Sequence, residues 1–307
     1  MEKVIIIGGG AAGLSAGIFL SRDKIPTLII EKFSCGGNML LTEIIENYPG
    51  FPDGISGFEL SENMKKQFIK FGGEIKNEEV EKIELLNNKK IVKLKNGEEI
   101  ITDVIIIASG SSRKKLNVKG EKEFTGKGVS YCAICDGAFF KEKDVAVIGG
   151  GDSAVEEAIY LTRFANTVYL IHRRESLRAK KYLQKEAKNN EKIKFILPYI
   201  VKEIKGKDKV EYLILQNLSN QNITELKIDG IFISVGQLPN TEFLKGILKT
   251  DENGFIIVNE KMETNIPGIY ACGDVIKKSL YQIITACSEG MTAAYFAEKY
   301  LEGLGKL

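Results

Sequence analysis

The sequence predicts an α/β protein built from two similar domains, with the second domain inserted into the first. A strand, a glycine turn, a helix and another strand follow one another from Val4, and the same pattern restarts at Val145. The tail contains one short strand-like segment and one helical run, too little for a third domain, so we expect it to fold back onto the first unit. The expected first domain therefore comprises residues 1–115 and 240–307, and the expected second domain residues 116–239.

The first pattern has the order of a parallel-sheet unit. Its strands, Val4–Ile7 and Thr27–Ile30, are apolar runs with the length of buried strands. Between them lie the turn Gly8–Gly13 and a helix that begins near Leu14. The second strand ends at Glu31, 21 positions after the middle glycine of the turn.

The second pattern repeats the first closely. A strand at Val145–Ile148 leads into the turn Gly149–Ala154 and then a helix. The following strand, Val168–Ile171, ends in His172, again 21 positions after the middle glycine. This shared spacing identifies the two halves as an internal repeat.

A further layer is predicted between residues 75 and 101. Short segments of alternating polarity are separated there by turn pairs at Asn87-Asn88 and Asn96-Gly97, which predicts antiparallel strands. Together with the parallel sheet and its helices, they give the three-layer ββα form of a Rossmann-like dinucleotide-binding domain.

The glycines have distinct expected roles. Gly8 permits the tight turn, Gly10 lets the backbone approach a pyrophosphate, and Gly13 lets helix and strand pack closely. Ala154 stands in the third place of the second copy, where the fingerprint accepts alanine. One such glycine motif is weak support and can simply form a loop, but two copies in the strand–turn–helix setting favour two nucleotide sites.

The residues that end the second strands distinguish the two ligands. Glu31 can accept hydrogen bonds from both hydroxyls of an adenosine ribose and would repel a 2′-phosphate, which suits FAD or NAD. His172 is followed by Arg173 and Arg174, with Arg178 shortly after, and arginines there can bind a 2′-phosphate. We therefore predict FAD at the first turn and NADPH at the second, the alternative being that these arginines form a solvated basic face.

A single Cys-x-x-Cys pair, Cys132 and Cys135, lies between the two glycine turns. The two intervening residues let the thiols close a small redox-active ring, and a helix that begins there would lower the pKa of a thiolate. Asp136 is either an acid that protonates a departing thiolate or a carboxylate that stabilises the start of a helix. The alternative for the pair itself is two packing cysteines in a core turn.

The composition excludes several kinds of partner and site. The net charge is +2, from 43 Lys and Arg against 41 Asp and Glu, which gives no reason to expect nucleic acid or a membrane surface as partner. The apolar runs are strand-length, and the beginning of the chain lacks the pattern of a signal peptide, so we expect a cytoplasmic protein. Five cysteines and one histidine argue against a disulfide framework and against a zinc site, and no metal is predicted.

The motifs resemble the low-molecular-weight, bacterial-type thioredoxin reductases of the class II pyridine nucleotide-disulfide oxidoreductases, over nearly the whole chain. Placement of the cysteine pair in the nucleotide-binding insertion is particularly specific, since relatives of the glutathione reductase type carry it in the FAD domain. The matching segments are Gly8–Gly13, Glu46–Pro52, Cys132–Gly137, Gly149–Ala158, His172–Arg174 with Arg178-Ala179, and Gly273–Val275.

The resemblance implies electron transfer from NADPH through FAD to the Cys132–Cys135 disulfide and on to the disulfide of thioredoxin. It implies that Cys135 lies against the flavin, that Cys132 attacks thioredoxin, that the NADPH domain rotates, and that the protein is a homodimer. With these two cysteines, we expect Asp136 in its acid role to complete the catalytic residues. The candidate FAD-binding residues are Gly8, Gly10, Ala11, Ala12, Gly13, Glu31, Gly37, Asn47, Gly273, Asp274, Gln282 and Ile283. The candidate NADPH-binding residues are Gly149, Gly151, Asp152, Ser153, Ala154, Glu157, His172, Arg173, Arg174 and Arg178.

Two positions depart from the family pattern. Tyr281 precedes Gln282 where the family usually has an arginine, and Glu289 lies in a segment that usually contains small residues. Glu289 would either shift the potential of a nearby flavin or face solvent. Three alternative functions stay open: a flavoprotein reductase of a peroxidase system, which usually has an extra N-terminal region, a reductase linked to ferredoxin or another thioredoxin-like partner, and a non-catalytic FAD-binding redox sensor.

Overall fold

A computed structural model describes residues 4–42, 44–86, 89–244 and 246–307. These residues divide into two compact units, one within Met1–Ser112 and Leu238–Leu307 and the other within Arg113–Gln237. The helices are α1 (Ala11–Arg22), α2 (Gly57–Lys70), α3 (Ala133–Asp136), α4 (Asp152–Leu161), α5 (Lys181–Asn189) and α6 (Ile283–Gly303). The strands are β1 (Val4–Ile7), β2 (Thr27–Glu31), β3 (Glu74–Asn77), β4 (Val80–Leu86), β5 (Lys89–Leu94), β6 (Glu99–Thr102), β7 (Ile105–Ile107), β8 (Ser111–Arg113), β9 (Val129–Ser130), β10 (Asp144–Ile148), β11 (Thr167–Ile171), β12 (Ile193–Ile196), β13 (Tyr199–Gly206), β14 (Val210–Asn217), β15 (Ile223–Lys227), β16 (Gly230–Ile233), β17 (Gln237–Pro239) and β18 (Ile269–Ala271).

The first unit is built on a parallel sheet with strand order β18-β7-β1-β2-β3. Because side chains alternate along a strand, β1 serves two cores. Val4 and Ile6 pack with the side chains of α1, α2 and α6, whereas Ile5 and Ile7 pack with those of the antiparallel sheet β4-β5-β6. The unit therefore has three layers: helices, parallel sheet and antiparallel sheet.

The second unit repeats this construction. Its parallel sheet has the order β12-β11-β10-β16-β9, and β13-β14-β15 forms the antiparallel sheet. Val145 and Val147 of β10 pack with the helical side, and Ala146 and Ile148 pack with the antiparallel side. The predicted α/β class, with two three-layer Rossmann-like units, is confirmed.

The tail of the chain joins the first unit. Strand β18 pairs with β7 in parallel, and α6 packs along α1. One detail of the predicted antiparallel region was wrong: β3 pairs with β2 in parallel, and the antiparallel sheet begins only at β4. The predicted turn at Asn87-Asn88 lies outside the described residues.

No helix within residues 4–42, 44–86, 89–244 and 246–307 is long and apolar enough to cross a membrane. The same residues contain no group of three or more His, Cys, Asp and Glu side chains placed to hold a metal ion.

Candidate functional site

The first glycine turn leaves an open approach to the start of α1. A Cβ on Gly8, whose φ is +105°, would collide with the carbonyl oxygen of Ala108, and a Cβ on Gly13 would collide with that of Gly8. A Cβ on Gly10, in contrast, would meet nothing nearer than the Cα of Gly37, 4.0 Å away. Gly8 and Gly13 are thus required by packing, whereas the space over Gly10 is free for a ligand.

The N-terminus of α1 carries no side-chain cap. Gly10 is its N-cap, Ala11 and Ala12 begin the helix, and the first turn contains no acidic residue. The first N–H groups of a helix have no partner within the helix. At this position they provide donors and positive potential for a phosphate.

Glu31 ends β2 and holds the turn with its carboxylate. One oxygen accepts the N–H of Gly9 at 2.8 Å, and the other accepts the N–H of Phe33 at 3.0 Å. A carboxylate offers about four acceptor sites, so capacity remains for ribose hydroxyls. The structure thus adds a structural role to the predicted ligand role of Glu31.

Residues from distant parts of the sequence meet the first turn. The Asn47 side chain donates to Gln282 Oε1 at 3.1 Å, and Gln282 is the N-cap of α6, which begins at Ile283. A Cβ on Gly273 would lie 2.8 Å from the Cβ of Ala12, so the Gly-Asp turn after β18 lies directly against α1.

Asp274 follows Gly273 and is partly buried. Its Oδ1 has no hydrogen-bond partner among the described residues, although Lys278 lies within ion-pair distance. An acceptor without a hydrogen bond, an open glycine and an uncapped helix N-terminus suit a dinucleotide with hydroxyl and phosphate groups. The residues of the first unit therefore fit a flavin dinucleotide.

Glu289 does not face solvent as one of the two expectations had it. Its Oε2 accepts the N–H of Gly273 at 2.9 Å and pairs with Lys278 Nζ at 2.8 Å. Burial raises the pKa of Glu289, and Lys278 opposes that rise.

Tyr281 packs its ring against Phe255, with ring centroids 5.9 Å apart.

The second glycine turn has the same division of roles. A Cβ on Gly149 would collide with the carbonyl oxygen of Ser234, whereas a Cβ on Gly151 would meet nothing within 4 Å. Gly151 is the uncapped N-cap of α4, whose first residues are Asp152, Ser153 and Ala154. Asp152 points its carboxylate elsewhere, accepting the N–H of Lys180 at 2.8 Å.

His172 packs against this turn rather than standing at the surface. Its ring is buried over Gly150, and its Nε2 has no hydrogen-bond partner among the described residues. Burial lowers the pKa of His172, and the charges of Arg178, Arg174 and Arg173 lower it further. The ring is therefore neutral near pH 7 and able to offer a hydrogen bond to a ligand.

The three arginines after β11 are exposed, and none has an ion-pair partner within 4 Å in the described ranges. The backbone N–H of Arg178 donates to Gly150 at 2.7 Å, which holds its segment beside the turn. Unpaired guanidinium groups at a helix N-terminus fit an anionic group such as a phosphate. The residues of the second unit therefore fit a phosphorylated nicotinamide dinucleotide.

Glu157 on α4 is a carboxylic acid with a raised pKa. Burial raises its pKa to about 7, whereas Arg113 and Ser234 act in the opposite direction. Its Oε2 has no hydrogen-bond partner among the described residues. This carboxyl therefore changes charge near neutral pH.

Cys132 and Cys135 form a disulfide at the end of the edge strand β9. Cys132 is the N-cap of α3, and its sulfur accepts the N–H of Cys135 at 3.2 Å. Helix α3 is a single turn, so the expected lowering of a thiolate pKa by a helix dipole is small. Both cysteines are partly exposed, and Ile134 between them is exposed, so the pair is accessible.

Ser130 ties Asp136 to this pair. Its hydroxyl donates to Asp136 Oδ2 at 2.6 Å and accepts the N–H of Cys132 at 3.1 Å. Burial raises the pKa of Asp136, and the Ser130 hydrogen bond opposes that rise. Sequence reasoning missed Ser130, although a small hydroxyl residue two positions before Cys132 was a signal that could have indicated it.

The other cysteines are packing residues in the described structure. Cys35, Cys272 and Cys287 are free and buried in the first unit. Burial raises the pKa of Cys35 to about 11, which leaves little thiolate at neutral pH. The structure thus contains one disulfide-forming pair within its described residues.

Comparison with known proteins gives consistent matches over nearly the whole chain. Residues 2–290 match the family model described as pyridine nucleotide-disulphide oxidoreductase. The chain is 46% identical over 303 residues to the thioredoxin reductase of Bacillus subtilis strain 168, covering 98% of this chain and 95% of that protein. It is 45% identical over 303 residues to the thioredoxin reductase of Listeria innocua, with 98% and 94% covered.

A solved structure shares both the fold and much of the sequence. The crystal structure of thioredoxin reductase from Streptococcus pyogenes superimposes with a TM-score of 0.93 at 44% identity. The match covers 98% of each chain.

Proposed function

We propose a specific reaction for this chain, which belongs to the pyridine nucleotide-disulphide oxidoreductase family and, within it, to the bacterial-type thioredoxin reductases. The reaction is reduction of the disulfide of thioredoxin by NADPH, through FAD and the Cys132–Cys135 pair. The observation that carries the proposal is this accessible disulfide in a unit whose glycine turn is followed by unpaired arginines.

The family uses a flavin and a nicotinamide nucleotide, and FAD in the first unit is our assignment. The uncapped N-terminus of α1 would hold the pyrophosphate, and Glu31 the adenosine ribose. Asn47, Asp274 and Gln282 would accept or donate hydrogen bonds to the remainder of the flavin dinucleotide. Gly37 and Ile283 would line the same site.

NADPH in the second unit is supported by charge. The N-terminus of α4 would hold the pyrophosphate beside Gly149 and Gly151, while Arg173, Arg174 and Arg178 would bind the 2′-phosphate. An acidic residue at this position would repel that phosphate, and the second unit has none there. NADH would leave the three guanidinium groups unused.

When bound, NADPH would supply a hydride and FAD would relay its two electrons to the Cys132–Cys135 disulfide. With the uptake of one proton, this would leave a thiolate at Cys132 and a thiol at Cys135. The Cys132 thiolate then attacks one sulfur of the thioredoxin disulfide, and the other thioredoxin sulfur leaves as a thiolate. Cys135 attacks the mixed disulfide, which releases the second thioredoxin thiolate and restores the Cys132–Cys135 bond. Asp136, half-buried and with a raised pKa, supplies a proton to a departing thiolate.

Assembly and location are also proposed. On α6, Ile284, Met291 and Tyr295 recur along one exposed stripe, and homodimer formation would cover it. Light scattering should give twice the chain mass, and Met291→Asp should shift it towards the monomer. We also propose that the protein is cytoplasmic, because it has three free cysteines in addition to the redox pair, and thiols stay reduced in the cytoplasm.

The decisive experiment is NADPH oxidation by the purified holoenzyme with a panel of thioredoxins, a glutaredoxin-like protein and ferredoxin as acceptors. We expect rapid oxidation with thioredoxin and anaerobic bleaching of the yellow protein by NADPH. Oxidation supported by ferredoxin but not by any thioredoxin would reject the proposal in favour of a ferredoxin-linked enzyme. A protein that binds FAD but is not bleached by NADPH would be a sensor rather than a reductase.

A further inference from the structure

A partly buried ion cluster lies between the Gly-Asp turn after β18 and helix α6. Lys278 Nζ is 2.8 Å from Glu289 Oε2 and 3.2 Å from Asp274 Oδ1. The Lys278 side chain is only 9% exposed, and those of Glu289 and Asp274 are 16% and 24% exposed. Two carboxylates thus share one cation, and the formal charge of the cluster is −1.

Glu289 extends the cluster to the backbone of the turn. The oxygen that pairs with Lys278 also accepts the N–H of Gly273. Gly273 has a φ of +77° and lies against Ala12 at the start of α1. One carboxylate from α6 therefore fixes both the lysine and the peptide that leads into Asp274.

Tyr281 closes the cluster on a third side. Lys278 Nζ lies 5.3 Å from the centroid of its ring, within the range of a cation–π contact. The two positions at which the sequence departs from the family pattern, Tyr281 and Glu289, therefore surround the same lysine. Their side chains act together on one cation rather than independently.

Stability alone is a weak reason for such a cluster. Removing three charged groups from water is unfavourable, and apolar replacements of buried ion pairs are often as stable or more stable. What the cluster does provide is a fixed position for the Asp274 carboxylate. The Oδ1 of this carboxylate has no hydrogen bond among the described residues, and the carboxylate retains capacity for hydroxyl donors.

We propose that Lys278 and Glu289 are positioning residues for the flavin: Lys278 orients the Asp274 carboxylate, and Glu289 holds Lys278 and the Gly273 peptide in place. The inference rests on the proposed binding of FAD by the first unit. It assigns to Lys278 a charge-balancing role, because without it two carboxylates would face one another in a site of low exposure.

The test is a double-mutant cycle read out as FAD affinity. Apoproteins of the wild type, Lys278→Met, Glu289→Gln and the double variant are titrated with FAD, and flavin fluorescence gives each dissociation constant. The melting temperature of each apoprotein is measured in parallel. Lys76→Met is the matched control, because Lys76 pairs with Glu98 at 2.7 Å in a more exposed ion pair of the same unit.

We expect Lys278→Met to raise the FAD dissociation constant about tenfold or more, since it leaves the cluster with a charge of −2. The double variant restores the charge of −1, so its affinity should lie nearer the wild type than that of Lys278→Met alone. Lys278→Arg, which retains the charge, should bind FAD within about threefold of the wild type. Lys76→Met should bind FAD like the wild type.

Unchanged FAD affinity in a folded Lys278→Met apoprotein would overturn the inference, and so would equal losses in Lys278→Met and the double variant. A lower melting temperature without a change in FAD affinity would show a merely structural role and also overturn it. If Lys278→Met does not fold, Glu289→Gln decides: weaker FAD binding supports the inference and wild-type binding rejects it. Failure of the wild type to reduce thioredoxin would reject the proposed function and leave this FAD comparison intact.

Discussion

The two units share a scaffold but differ in what they place around their glycine turns. In the first unit, the second strand ends in Glu31, whose carboxylate accepts the N–H of Gly9. In the second, it ends in His172, whose ring packs on Gly150 and is followed by exposed arginines. In the function proposed above, each glycine turn binds a pyrophosphate, and the side chains at the end of one strand select the nucleotide.

The units also differ in where their fifth strand comes from. In the first unit it is β18, from the tail, and in the second it is β9, which precedes the repeated strands. Strand β9 leads directly into the disulfide, whereas β18 leads into the Gly273-Asp274 turn. The same edge of the repeated fold thus carries the redox pair in one unit and a candidate flavin contact in the other.

The substitution with the largest expected effect tests whether the redox chemistry depends only on the cysteine pair of the second unit. We expect Cys135→Ser to lower thioredoxin reduction to below about one thousandth of the wild-type rate, because the variant has no disulfide to receive the electrons of the flavin and cannot resolve a mixed disulfide. Anaerobic bleaching of the flavin by NADPH should remain. Cys35→Ala is the control and should retain activity. Full turnover by Cys135→Ser would transfer the chemistry to cysteines of the first unit.

The next largest effect tests whether the arginines after β11 select the nucleotide of the second unit. Replacing Arg173, Arg174 and Arg178 by alanine should reduce kcat/KM for NADPH by about a hundredfold, since charge-assisted bonds to a phosphate are lost. Activity with NADH, measured in the same stopped-flow assay, should change little. Lys185→Ala, on the exposed basic face of α5, is the control. Equal losses with both nucleotides would contradict recognition of a 2′-phosphate.

The sequence predicts those features that depend on neighbours along the chain. Apolar runs and glycine turns are local, so both strand–turn–helix patterns and the Cys132–Cys135 pair can be read from the sequence. The parallel pairing of β3 could not, because Glu74–Asn77 is a short polar strand whose partner is chosen by the fold. The cluster around Lys278 was also missed, since it depends on Glu289 and on the tertiary packing of α6.

A smaller effect tests whether Ser130 influences the pKa of Asp136 or has only a structural role. Its hydrogen bond favours the ionised form of Asp136, so Ser130→Ala should raise the pKa of that acid further. Because Asp136 must be protonated to donate, the high-pH limb of thioredoxin reduction should move to higher pH. Thr125→Ala, which removes a hydroxyl bonded to the backbone of Glu121, should leave the profile unchanged. A uniform loss of rate at every pH would reject this role for Ser130.

The smallest effect concerns stability and sharpens the comparison of the two units. Glu157 has a folded-state pKa of about 7 against 4.5 ordinarily, because burial disfavours its charge. The unfolded chain ionises first as pH rises, so stability is lost between about pH 4.5 and 7 and remains lower above that range. Glu157→Gln should therefore raise the melting temperature by a few degrees at pH 8, and hardly at pH 4.5, in nucleotide-free protein. The exposed Glu156→Gln variant should show no such difference, and an equal gain at both pH values would mean that the charge of Glu157 is not the cause.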